Sequence, residues 1–164
     1  MVTRLTRVTH GAPVASAAAC AIAAMASYAV EGCPAGELIT VALAELEQAL
    51  RACPAAAVWL RTARAAADGS WRPGPAGVTL DAAETLAAVV HVLAACGDDL
   101  DGAMRYAVSL GGDTDTVAAI TGGILGCRSA GVTIGWLDHV MLPPAAELDR
   151  LAAGLREARR AAYG

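Results

Sequence analysis

The chain has 164 residues, a formal net charge of −4 and 56% hydrophobic residues. That length suits one domain, residues 1–164, with a core of its own, and the acidic balance argues against a general nucleic-acid binder. All 12 basic residues are Arg, which leaves open a local Arg site for phosphate because the guanidinium group matches phosphate oxygens.

Alanine-rich apolar runs recur along the chain, and the sequence contains no Phe and few other aromatic residues. Small side chains in such runs favour close-packed helices, so we predict an all-α fold. Thr9 to Pro13 is a helix start signal, and Gly32 ends the first long helix at about residue 30. Since this helix is apolar on nearly every face, we predict that it is buried all round.

The apolar run 14–30 raises the question of a membrane span. It is mostly Ala, which inserts weakly compared with Leu, Ile or Phe, so we expect a core helix and no membrane partner. The residues before His10 lack the apolar core of a signal peptide. We expect a cytoplasmic protein whose five cysteines, none in a Cys-x-x-Cys pair, are buried free thiols.

Proline and glycine punctuation predicts the next helices at 35–51, 54–67, 80–95, 100–110 and 145–162, the last of them amphipathic. A further helix is predicted after the stretch 111–116, ending at about Ser129, and a connector is predicted at 131–144. Glu45 and its neighbours on the first of these helices, 35–51, form a predicted solvated face. In the irregular loop 68–78, Trp71 lies over a ligand or pins the loop to the core, and we favour the second. Thr79 is the predicted cap of the following helix, and His91 is predicted to be a hydrogen-bonded core histidine.

Acidic side chains cluster in two places. Asp98, Asp99 and Asp101 lack the spacing of a calcium loop and are interpreted as caps and solvated charge. The second place is the stretch 111–116, Gly-Gly-Asp-Thr-Asp-Thr, in which the Gly pair allows a sharp turn and Asp113 or Thr114 can cap the helix that follows.

A single cap does not account for the second carboxylate, Asp115. Asp and Thr oxygens at this spacing on a tight turn can meet at one point, which is what Mg²⁺ and Ca²⁺ require. The alternative is an acidic helix start stabilised by the helix dipole. Three glycines in the following helix, 122, 123 and 126, leave one face almost bare, and we predict that a neighbouring helix backbone approaches there.

The run 111–126, Gly-Gly-Asp-Thr-Asp-Thr-Val-Ala-Ala-Ile-Thr-Gly-Gly-Ile-Leu-Gly, closely resembles the C-terminal motif of the ADP-ribosylglycohydrolase family. A second match, Arg7-Val8-Thr9-His10, resembles the Thr-His segment that opens a central helix of that family. The resemblance implies an all-α orthogonal bundle of about six to eight helices. It also implies a two-metal Mg²⁺ or Mn²⁺ site and cleavage of the bond between ADP-ribose and a modified residue or small molecule.

Carried over to this sequence, the resemblance implies site residues at both matches. Asp113, Asp115 and Thr116 are the implied metal ligands, and the two carboxylates are the implied catalytic groups. Thr9, His10, Gly111 and Gly112 are the implied contacts to ADP-ribose or a related nucleotide.

The matched segments correspond to the C-terminal half of the family, whose complete members carry further metal ligands in an N-terminal half. Three hypotheses follow. A second polypeptide completes the site in a homo- or hetero-oligomer that hydrolyses an N- or O-glycosidic bond of ADP-ribose or a related nucleoside. Alternatively, the chain is an ADP-ribose-binding pseudoenzyme, or it is a scaffold subunit that associates through an exposed apolar surface.

Overall fold

The computed structural model describes residues 1–128 and 134–163. Within these ranges it contains eight α-helices, one short 3-10 helix and no β-strand, which confirms the all-α prediction. The predicted end of the motif helix at about Ser129 and the start of the predicted connector, 131–133, lie outside the described residues. The helices are α1 (Val2–Thr6), α2 (Pro13–Val30), α3 (Ala35–Ala52), α4 (Ala56–Ala67), α5 (Ala82–Cys96), α6 (Leu100–Ser109), α7 (Thr114–Gly126) and α8 (Ala145–Tyr163), with the 3-10 turn at Leu137–His139.

Contacts divide the chain into two compact units, Met1–Gly131 and Val132–Gly164. The first unit holds α1 to α7 and every buried core residue in the described part of the chain. The second unit holds the 3-10 turn and α8. The leucines of the predicted amphipathic helix α8 are 40–73% exposed.

The core of the first unit is built around α5. Every residue from Thr85 to Leu93 is buried, and α5 contacts α2, α3, α4, α6 and α7. The surrounding helices bury mostly Ala, with occasional larger side chains such as Met25, Leu38 and Leu46. Small side chains allow these helices to approach closely, so the core forms without any Phe side chain.

The prediction that the first long helix is buried all round is wrong. α2 buries one stripe, namely Ala17, Ala18, Ala21, Met25 and Ala29, whereas Tyr28 and Val30 are half exposed. α5 takes the central position instead. α2 is long and apolar enough to cross a membrane. Core helices of soluble proteins and signal sequences near the N-terminus meet the same criterion of length and composition.

The ends of the helices show which acidic residues are caps. The prediction that Thr79 caps α5 is wrong. The cap is Asp81, whose carboxylate accepts hydrogen bonds from the backbone N–H groups of Ala83 and Glu84 at 2.9 and 3.2 Å. The Thr79 hydroxyl contacts the Glu84 carboxylate instead. The short helix α1 was not predicted, because five residues carry too little periodicity to be recognised.

Asp99 caps α6 as predicted, since its carboxylate accepts from the backbone N–H of Gly102 at 3.1 Å. Asp98 has a longer reach. Its carboxylate accepts from the backbone N–H of Ala35 at the start of α3 at 2.9 Å and pairs with Arg128 just after α7. One carboxylate therefore ties the ends of two distant helices to the start of α6.

His91 is a hydrogen-bonded core histidine, as predicted. Its side chain is buried, Nε2 lies 2.9 Å from the Tyr106 hydroxyl, and Nδ1 lies 3.3 Å from the carbonyl oxygen of Ala66. The Trp71 ring meets the imidazole edge-on with a centroid distance of 5.5 Å. Trp71 thus fixes the loop after α4 to the core, which supports the interpretation favoured for this residue.

The five cysteines are free, as predicted, but they are not buried: four are half-buried and Cys127 is exposed. Partial burial raises the pKa of the Cys96 thiol, and the nearby Asp99 carboxylate adds to that rise in pKa.

The hydrogen bond between His91 and Tyr106 can be tested by Tyr106→Phe. Removing the hydroxyl leaves a buried imidazole nitrogen without its partner, so the free energy of unfolding should fall by about 1–3 kcal/mol. Tyr28→Phe is the matched control, because Tyr28 is 50% exposed and should change stability by less than about 0.5 kcal/mol. Urea unfolding of both variants measures the difference. Equal stability of the two variants would contradict a structural role for this bond.

Candidate functional site

The motif 111–116 is held by a backbone contact with the loop that precedes α5. The N–H of Val78 donates to the carbonyl oxygen of Gly111 at 2.9 Å, and the N–H of Asp113 donates to the carbonyl oxygen of Val78 at 2.8 Å. Gly77, Gly111 and Gly112 all have positive φ angles, 83°, 73° and 73°. Their conformations are ones that glycine adopts without steric cost.

The same contact leaves no space for a side chain at two of these glycines. A Cβ atom on Gly77 would lie 2.1 Å from the carbonyl carbon of Gly111, and one on Gly112 would lie 2.1 Å from the carbonyl oxygen of Val78. Glycine is therefore required here for close backbone approach as well as for the turn. This contact determines where α7 begins.

Asp113 occupies the N-cap position of α7, but its side chain makes no capping hydrogen bond. The prediction that Asp113 or Thr114 caps this helix through its side chain is therefore wrong. The Asp113 Oδ1 atom instead accepts a hydrogen bond from the Thr116 hydroxyl at 2.9 Å. The side chains of Asp113 and Thr116 thus lie against each other at the start of the helix, both half-buried.

Asp115 lies in the first turn of α7 and is exposed. Two carboxylates and one hydroxyl at this helix end are hard oxygen donors of the kind that Mg²⁺ and Mn²⁺ bind. Among the described residues, however, no group of three or more His, Cys, Asp or Glu side chains could hold a metal ion. By number and type, the oxygens of Asp113, Asp115 and Thr116 could supply at most about half of an octahedral shell, with the rest left to other groups.

Thr9 and His10 lie in the turn between α1 and α2. Both are exposed, and the His10 Nδ1 atom lies 2.9 Å from the Thr9 hydroxyl. The backbone N–H of His10 donates to the carbonyl oxygen of Thr6 at 2.7 Å. Among the described hydrogen bonds, none joins these two residues to the motif 111–116, so their role in substrate binding stays a prediction.

In the described structure no neighbouring helix backbone approaches the glycines within α7. The prediction of such a close approach is wrong. A Cβ on Gly122 would meet the Met104 sulfur at 3.2 Å, which is a side chain, and nothing described lies within 4 Å of a Cβ on Gly123 or Gly126. Gly123 and Gly126 are exposed. The opposite face of α7 is buried through Val117, Thr121, Ile124 and Leu125.

Replacing Gly77 by Ala tests the contact that positions the motif. Gly69→Ala is a matched control, because Gly69 has a similar φ of 78° and open space around its Cβ position. Both variants pay the cost of a positive φ, about 1–2 kcal/mol, but only Gly77→Ala collides with backbone. We expect Gly77→Ala to lower the free energy of unfolding by at least about 2 kcal/mol more than Gly69→Ala. Thermal and urea unfolding measure this, and equal losses would contradict the contact.

Comparison with known proteins connects this geometry to a family. A family model described as ADP-ribosylglycohydrolase matches residues 1–163. Searches of curated proteins and of solved structures find no match. The matched range contains the Thr-His turn, the glycine contact and the acidic start of α7. The chain belongs to the ADP-ribosylglycohydrolase family.

Proposed function

We propose that this chain contributes part of a metal-dependent hydrolase site that cleaves an N- or O-glycosidic bond of ADP-ribose or a related nucleoside. A second polypeptide supplies the remaining metal ligands. The observation that carries the proposal is the oxygen cluster at the start of α7, where Asp113 and Thr116 are joined by a 2.9 Å hydrogen bond and Asp115 follows in the first turn. Family membership supports the reaction type.

In this proposal the three side chains hold one face of Mg²⁺ or Mn²⁺. The Thr116 hydroxyl donates a hydrogen bond to the Asp113 carboxylate, so the lone pairs of the Thr116 oxygen remain available to a cation. A divalent ion held by these residues would supply Lewis-acid chemistry for hydrolysis of the glycosidic bond. If a partner chain supplied the remaining ligands, the completed site would hold two metal ions.

The first turn of α7 adds an anion-binding element. No side chain caps this helix, so its N-terminal N–H groups are not occupied by the carboxylate that precedes them. The Thr114 N–H donates to the carbonyl oxygen of Gly112 at 2.8 Å, and the next N–H groups of the first turn, together with the helix dipole, favour a phosphate at such a position. This agrees with a diphosphate-containing ligand such as ADP-ribose.

The need for a partner rests on two observations. The described residues contain no complete set of metal-binding side chains. In addition, the outer face of α7 exposes Gly123 and Gly126 with nothing within 4 Å of their Cβ positions. Helix-interior glycines each cost about 0.5–1 kcal/mol relative to Ala, and a second chain packed on this face would offset that cost.

The incomplete donor set also favours a second candidate, an ADP-ribose-binding module that does not catalyse hydrolysis. Both candidates predict nucleotide binding that depends on the motif. Only the first predicts release of ADP-ribose, or of ribose from a nucleoside, when a glycosidic substrate and the partner polypeptide are added.

The double variant Asp113→Asn/Asp115→Asn tests the proposed metal site. We expect titration calorimetry to show Mn²⁺ binding to the purified chain, strengthened by ADP-ribose, and at least a tenfold loss of affinity in the variant, because amide groups are weaker ligands for a hard cation than carboxylates. The control is Asp101→Asn, which removes a half-buried carboxylate paired with Arg105 on α6. Binding unchanged in the motif variant, or lost equally in the control, would contradict the assignment.

Thr116 can be tested separately from the carboxylates. Thr116→Val keeps the shape of the side chain but removes the hydroxyl, whereas Thr116→Ser keeps the hydroxyl. We expect about a tenfold loss of Mn²⁺ affinity in the Val variant and little change in the Ser variant, in line with the cost of an oriented ligand losing its support. A Ser variant as weak as the Val variant would show that packing of the methyl group is what matters.

A further inference from the structure

The first unit contains a cavity of about 550 Å³ that the proposed function does not use. Its walls come from α1, the turn before α2, the first two turns of α2, the second half of α3 and the start of α4. No residue of the motif 111–116 lines it. The volume lies within the range of about 300–1,000 Å³ that is typical of small-molecule sites.

Most of the wall is apolar. Ala17 is buried at 7% exposure, Ala49 and Cys20 are half-buried, and the half-buried Trp59 also lines the cavity. A ligand with an apolar or planar body would bury its surface against these groups, and Trp is the aromatic residue that attracts cations most strongly.

Two opposite charges line the same cavity. Arg7 comes from the turn after α1, and Glu45 comes from α3. Among the described contacts neither side chain has a hydrogen bond or an ion pair. Glu47, two residues further along α3, is different, because its carboxylate pairs with Arg64 and does not line the cavity.

Glu45 is half-buried rather than fully solvated, which corrects its prediction as part of a solvated face. A carboxylate withdrawn from water without a partner is unfavourable, so a cationic group that enters the cavity would be attracted to it. Arg7 offers the matching site for an anion on the α1 side.

From this arrangement we propose that the cavity binds a small zwitterion with an apolar body, such as a free apolar amino acid or a short peptide. The ligand ammonium pairs with Glu45, its carboxylate pairs with Arg7, and its body lies on Trp59. A purely anionic ligand such as a nucleotide is disfavoured, because it would face Glu45 as well as Arg7. This inference goes beyond the proposed function and does not depend on it.

Three related probes separate the two ends of the ligand. L-phenylalanine carries both charges, 2-phenylethylamine lacks the carboxylate, and 3-phenylpropionate lacks the ammonium. We expect calorimetry on the full chain to show L-phenylalanine binding about tenfold more tightly than either single-charge probe, since one charge-assisted pair contributes that much. Tryptophan fluorescence should change on binding, and Trp59→Phe should remove that change.

Two variants connect each preference to one side chain. Glu45→Gln should make L-phenylalanine no better than 3-phenylpropionate, and Arg7→Gln should make it no better than 2-phenylethylamine. Glu37→Gln is the matched control: Glu37 lies on α3, is exposed and does not line the cavity. It should leave all three affinities unchanged.

Several results would overturn the proposal. These are a folded chain that binds none of the probes at millimolar concentration, equal binding of all three probes, or an equal effect of the Glu37 control. A fourth is thermal unfolding in which Glu45→Gln and Arg7→Gln each destabilise the chain and the double variant adds nothing. That result would show that the two charges pair with each other. None of these variants changes Asp113, Asp115 or Thr116. A negative result at the cavity would therefore not bear on the proposed metal site.

Discussion

The candidate site depends on one close contact between two backbone segments. The residues at 77 and 78 and those at 111 and 112 approach so closely that side chains at positions 77 and 112 have no room. Two hydrogen bonds through Val78 then fix the carbonyl of Gly111 and the N–H of Asp113. Because Asp113 is the residue at which α7 starts, this contact sets the position of every oxygen donor that follows.

The helix that carries these donors is held firmly on one face and left open on the other. Val117, Thr121, Ile124 and Leu125 bury the inner face of α7, and α7 contacts α2, α5 and α6. Asp115 and the glycines further along lie on the exposed side. A buried inner face and an open outer face agree with the proposed half-site that a second chain completes, which links the packing of the core to the proposed chemistry.

Local signals explain what the sequence could predict. Pro13 is the first residue of α2 and Gly32 lies two residues after its end at Val30, while the predicted helix 35–51 is α3, which buries Leu38 and Leu46. What was missed depends on distant contacts. The motif glycines lie against Val78, more than thirty residues earlier in the chain, and Glu45 shares a cavity with residues of α1, α2 and α4. Periodicity along one helix carries no information about either.

The most direct test of the account is NMR of the isotopically labelled chain titrated with Mn²⁺, whose unpaired electrons broaden the signals of nearby nuclei. The account predicts that broadening begins at the amides of Asp113, Asp115 and Thr116 and spreads from the start of α7. Broadening centred on the other acidic segment, from Asp98 to Asp101, or spread evenly over the surface, would contradict the assignment of the metal site to this helix.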